Sequence, residues 1–250
     1  MAGHSHAKTI KYRKGGQDAK RSKLFTKIQR EIFIAVKQSG PDDKFNPRLR
    51  LARQKARLFN MPNDKIYDAI KRASSASAGE GNYEESYYLV SFSGGVFILI
   101  KVLTDNKNRA ASDVRGIASK AGASIADPSA VVFLFINLGV IKYETSKHSF
   151  DEVFEKAIEA GASDVVESEI IEEGDDGDIS IPATEVLCEF KEFNSIKASL
   201  EEAFGEARAA NLEWRAKIKV EVSGETEEKL GKLIDELEDL DDVSTIYKNF

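Results

Sequence analysis

Between Ser74 and Asn82 the chain reads "SSASAGEGN", and the apolar residues keep a different period on either side of it. Before this stretch they recur every three or four positions, the spacing of helices with one buried face. After it they form short strand-like runs separated by helical stretches. A small, polar, Gly-containing segment at such a change reads as a linker. The chain must therefore fold as a helical first part joined to an α/β remainder.

The helical part has clear boundaries. From Gln17 to Ser39 the residues Leu24, Ile28, Ile32, Ala35 and Val36 share one face, and Gly40-Pro41 ends the pattern. A second helix starts at "NPRLR", with Asn46 as N-cap and Pro47 at the first helical position, where its missing N–H costs nothing. It runs to about Phe59. A third follows Pro62, with Ile66, Ala69, Ile70 and Ala73 as its apolar face. The leading "GHSHAKTIKYRKGGQ", with Gly at 3, 15 and 16, is expected to be a mobile arm that orders on binding.

Charge follows the same division. Residues 1–78 carry 19 Lys/Arg against 6 Asp/Glu, a net of +13, whereas residues 79–250 carry 17 against 36, a net of −19. Such an asymmetry points to a polyanion-binding module carried on acidic domains. The candidate phosphate contacts are Lys8, Lys11, Arg13 and Lys14 in the arm and Lys20, Arg21, Lys23, Lys27 and Arg30 on the first helix. Arg48, Arg50, Arg53 and Arg57 on the second helix and Lys71 and Arg72 on the third complete the module. Lys20, Lys23, Lys27 and Arg30 form a stripe off the apolar face. Cations spread over several helices neutralise phosphates and release counterions, giving affinity without sequence choice.

In the remainder, "SYYLVSF" and "VFILIKVL" are strands flanking Ser93-Gly94-Gly95, "NRAASDVRGIASKAG" is a helix and "AVVFLF" a strand. Next, "VIKYET", "SFDEVFEKAIEAGA", "DVVESEII", "EVLCEFK", "NSIKASLEEAF" and "ARAANLEW" spell βαββαβ, and the tail "KIKVEV", "TEEKLGKLIDELEDL", "DVSTIYKNF" adds βαβ. Neither flanking fragment buries a sheet alone, since two or three strands need a partner layer. The expected fold is thus α+β and multidomain: a basic helical bundle at 1–78, then two ferredoxin-like α/β domains. The first comprises residues 83–137 plus 215–250, and the second, at 139–213, is inserted into it. The inserted part has 6 basic and 20 acidic residues and lacks basic-aromatic strands, so it should repel phosphate and contact protein instead.

Four collinear stretches carry a resemblance: "MAGHS…IK.RK…QDAKR.K.FTK", "NPRLR…NMPNDKI.DAIKR", "LTDNKNR…VR" and "LEDLDDVSTIYKNF". Together they cover nearly the whole chain, which resembles the YebC type. Members of that family are labelled transcriptional regulators and include the mitochondrial translational activator of cytochrome oxidase. The resemblance implies a helical first domain and two α/β domains, the third inserted in the second. It also implies nucleic acid as partner, either ribosomal RNA in a translation activator or DNA in a transcriptional regulator. In "TDNKNR", Lys107 and Arg109 are candidate phosphate contacts beside a helix N-terminus, while Asp105, Asn106 or Asn108 would cap that helix.

Other classes find little support. No nucleophile–base pair, phosphate loop or metal cluster is apparent, so no enzyme and no cofactor is expected. His4 and His6 lack further ligands at a useful spacing, and "EEGDDGD" at Glu172 has the wrong glycine position for a calcium loop and reads as a polar turn. Cys188, the only cysteine, lies in the apolar run "EVLCEF", a buried strand position that fits a reducing compartment. With no apolar run long enough to span a bilayer, the expected protein is a cytoplasmic monomer without membrane contact, having ribosomal proteins as further partners.

Overall fold

The structure, a computed structural model, describes the backbone of residues 4–76, 83–174 and 177–250, with side chains of 4–19 and 173–178 outside the description. Most of the expected linker, residues 77–82, and the tip of the acidic turn, 175–176, also lie outside it.

Three helices open the chain: α1 (His4–Ser39), α2 (Pro47–Leu58) and α3 (Asn63–Ser75). α1 begins at His4, not near Gln17, so the backbone of the expected irregular arm is helical. No proline interrupts it, and Gly15 and Gly16 cost only about 1 kcal/mol each relative to Ala in a helix interior. Gly40 ends α1 with φ +84°, its N–H donating to the Val36 carbonyl at 2.8 Å. The Asn46 side chain accepts from the Leu49 N–H and donates to the carbonyls of Ala35 and Gly40, both at 2.7 Å, tying the end of α1 to the start of α2. Ile28, Ile32, Leu49, Ala56, Ile66 and Ala73 form the core of this module.

The rest is mixed α/β with two antiparallel sheets. The first takes β1 (Glu84–Phe92), β2 (Val96–Thr104), β3 (Ser124–Ala126) and β8 (Val243–Lys248), in the order β3-β1-β2-β8. Gly94 and Gly95, both at positive φ, make the β1–β2 turn. One face of this sheet, with Val90, Ile98 and Ile100, packs on α4 (Lys107–Lys120) and α8 (Glu225–Glu238) through Val114, Leu230 and Leu233. The other face places Leu89 and Leu99 against Val131 and Phe135. Burial on both faces is why "VFILIKVL" runs almost unbroken in apolar residues.

The second sheet has order β5-β6-β4-β7 and is built from β4 (Phe135–Glu144), β5 (Asp164–Gly174), β6 (Gly177–Glu189) and β7 (Ala209–Ala216). Two helices, α6 (Phe150–Glu159) and α7 (Phe193–Phe204), cover it. Its first and last strands are neighbours, with Phe135 opposite Ala216, so the chain enters and leaves this sheet at one place. Cys188 is fully buried in its core, and burial pushes the thiol up to about 11.

Two expected strands are absent. "AVVFLF" forms the one-turn helix α5 (Val131–Leu134) before β4, because Asp127 caps the Ser129 N–H and Pro128 favours the turn that feeds it. "KIKVEV" is irregular: Val220 donates once, to the Asn249 carbonyl, and continues no ladder. The first sheet's third strand is instead the three-residue β3, too short to announce itself by alternation.

Candidate nucleic-acid interface

Three of the four stripe residues on α1, Lys23, Lys27 and Arg30, engage the turn between α8 and β8. Lys23 pairs with Asp239 at 2.8 Å, and Lys27 donates to the Glu238 carbonyl at 2.7 Å. Arg30 donates to Asp242 at 2.9 Å and to the carbonyls of Asp241 and Leu103. Burial beside this turn lowers the Lys27 pKa, although Glu238 and Asp241 oppose the shift.

Asp242 is the centre of this contact and is 8% exposed. Besides Arg30, it accepts from Arg109 at 2.8 Å and from the Thr104 hydroxyl at 3.1 Å. Arg109 also pairs with Asp105, and Asn106 caps α4 by accepting the Arg109 N–H at 3.0 Å. Lys107 pairs with Glu84. "TDNKNR" and "LEDLDD" thus meet in one ionic cluster that joins α1 to the first sheet.

Further contacts tie the helical module together and dock it on the rest of the chain. Lys55 meets Glu31 at 2.7 Å, and Ser244 donates to the same carboxylate. Burial alone would raise the Glu31 pKa, but Lys55 and Ser244 hold it below the usual carboxylate range. Arg48 pairs with Glu85, and Arg57 meets Glu206 of the second sheet's domain at 3.4 Å.

The expected phosphate contacts therefore separate into groups. The side chains of Lys8, Lys11, Arg13 and Lys14 lie on the part of α1 outside the description. Lys23, Lys27, Arg30, Arg48, Arg57, Lys107 and Arg109 engage carboxylates or carbonyls of the same chain. Lys20, Arg21, Arg50, Lys71 and Arg72 are exposed. Arg50 donates to the carbonyls of Asp43 and Lys44, and Arg72 to Gln29. Arg53 pairs with Asp43 and lies 6.0 Å from the centroid of the Tyr67 ring. Tyr67 is 60% exposed and Phe45, beside this cluster, 80% exposed. Neither aromatic figures among the residues expected from charge, although Phe45 sits in the polar run "PDDKFNP" and Tyr67 falls off the apolar face of α3.

Architecture and charge together define an α/β protein with two antiparallel sheets and a basic helical head. It belongs to the TACO1/YebC family: the model of the TACO1/YebC protein N-terminal domain matches residues 5–76, and that of the TACO1/YebC second and third domain, named Transcrip_reg, matches residues 83–250. The crystal structure of a conserved hypothetical protein, Aq1575, from Aquifex aeolicus is 35% identical, with a TM-score of 0.76, covering 93% of this chain and 91% of that one. Among the described residues no helix is long and apolar enough to cross a membrane.

Proposed function

We propose that this protein is a non-enzymatic nucleic-acid-binding regulator of gene expression, acting on RNA of the ribosome as a translation activator. One observation carries the reading: a net of +13 on residues 1–78 against −19 on the rest, with Arg50, Lys71 and Arg72 turned outward on α2 and α3. Such a surface attracts phosphate, and the acidic remainder limits indiscriminate sticking. RNA is preferred because base-edge readers such as paired Asn and Gln are scarce on the basic faces, and no helix is spaced for dimeric half-sites. Membership of a family whose second and third domains bear the name Transcrip_reg favours a second reading, a DNA-binding transcriptional regulator.

The reading extends to organisation. Residues 83–137 and 215–250 form one folding unit, supported by the pairing of β2 with β8, and residues 139–213 are an acidic insertion available to basic ribosomal proteins. The protein acts as a cytoplasmic monomer and needs no cofactor.

The test is crosslinking in cells followed by sequencing of the bound nucleic acid. Ribosomal RNA is the expected product, with salt-sensitive co-sedimentation on ribosomes. A defined DNA site bound far above random duplex, without ribosome association, would overturn the RNA reading.

A further inference from the structure

We propose that Phe45 and Tyr67 form a stacking platform for unpaired bases, so that the helical module takes single-stranded nucleic acid in preference to duplex. This inference rests on the nucleic-acid reading above and adds to it the form of strand recognised.

Phe45 is the most exposed large apolar side chain among the described residues, at 80%, and it is not among the residues packed into the module's core. Tyr67 is 60% exposed on the flank of α3 that faces α2. Arg53 links the two: its guanidinium rests 6.0 Å from the Tyr67 centroid and pairs with Asp43, two residues before Phe45. Arg50 holds the same loop by its bonds to the carbonyls of Asp43 and Lys44. Arg53 thus holds the Phe45 loop and covers one face of the Tyr67 ring, leaving the Phe45 ring and the other face of Tyr67 exposed.

Cations surround them in a useful way. Lys44, Arg50 and Lys71 are exposed nearby, and Lys71 stands one turn beyond Tyr67 on α3. The acids of this region are Asp42, Asp43, Asp64 and Asp68, of which Asp43 is neutralised by Arg53, while Lys44, Lys65, Lys71 and Arg72 alternate with the others along the same segments. Aromatic rings beside a cationic track are the means by which proteins hold single strands, since every base offers a π-face whereas a duplex hides it. The other exposed Phe residues, Phe133, Phe154 and Phe190, belong to the acidic remainder, where phosphate is repelled. The 238–242 turn bonds to Lys27 and Arg30 of the α1 stripe, whereas Arg53 beside Tyr67 bonds to Asp43.

The experiment uses the full chain with labelled oligouridine, whose bases stack poorly on one another, and a blunt RNA duplex of equal charge. Phe45→Ala and Tyr67→Ala should each weaken oligouridine binding about five- to a hundredfold, the range found for removing one stacked ring, and leave duplex binding within about twofold. Phe45→Tyr and Tyr67→Phe should retain it. Because Trp214 is the only tryptophan, Tyr67→Trp adds a reporter whose emission oligouridine should quench. Unchanged oligouridine binding by the alanine variants, equal loss of duplex binding, or no quenching of Tyr67→Trp would overturn the platform. Failure of the unaltered protein to bind either probe would instead overturn the RNA reading itself.

Discussion

Asp242 receives two guanidinium groups and a hydroxyl while remaining almost hidden from water. A carboxylate so placed is tolerated because its lone pairs are filled, and the arginines tolerate their position because it is charged. Removing it leaves Arg30, itself only 17% exposed in its side chain, without a counter-charge. Asp242→Ala should therefore cost about 3 kcal/mol, the scale for breaking a buried pair by deleting one partner. Urea denaturation measures this, with Asp239→Ala as control. Asp239 is largely exposed, and its loss should leave the midpoint unmoved. Equal midpoints for the two variants would show that Asp242 does not hold the module in place.

At the scale of elements, Gly139 in β4 shows how closely sheet and helix meet. A Cβ there would stand 2.4 Å from Phe193 Cδ2 and 2.6 Å from Cys188 Sγ. Gly139→Ala should destabilise by about 1–3 kcal/mol, the usual cost of overpacking. Gly116→Ala in α4, with nothing within 4 Å, should stabilise by roughly 0.5–1 kcal/mol through helix propensity. Thermal melts of the two variants should move in opposite directions. The same elements show what a sequence discloses. Asn46-Pro47 marks the start of α2 and Ser93-Gly94-Gly95 the first hairpin, because caps and turns are written locally. "KIKVEV" has the alternation of a strand but pairs with none, since the choice between ladder and coil depends on a neighbour distant in sequence. The basic stripe is plain as a stripe. Its partner is not, because a lysine suits an intramolecular carboxylate as well as a phosphate.

For the whole molecule, the turn at 238–242 occupies cations that a polyanion would otherwise reach. Asp235, Glu238 and Asp239 stand exposed beside Lys20, Lys23 and Lys27. Neutralising them together, as Asp235→Asn, Glu238→Gln and Asp239→Asn, should tighten polyanion binding. The slope of log affinity against log salt should steepen by about 0.7–0.9 for each additional phosphate engaged. Binding titrations over a salt series measure both quantities. Weaker binding by the triple variant would show that these acids orient the basic stripe and do not compete for it.

The pairing of β2 with β8 also has a consequence in time. A chain is made from its first residue onward, and the first sheet waits for a strand that lies 117 positions beyond β3. At usual elongation rates of 5–20 residues per second that interval is roughly 6–23 s. Meanwhile the second sheet has all its strands, and the outer edge of β2 shows unpaired backbone groups to its surroundings. Asp242 immediately precedes β8, so the missing strand and the missing counter-charge for Arg30 and Arg109 are delivered together. A premature stop just ahead of that point would release a protein lacking both, with an open sheet edge and an undocked basic head.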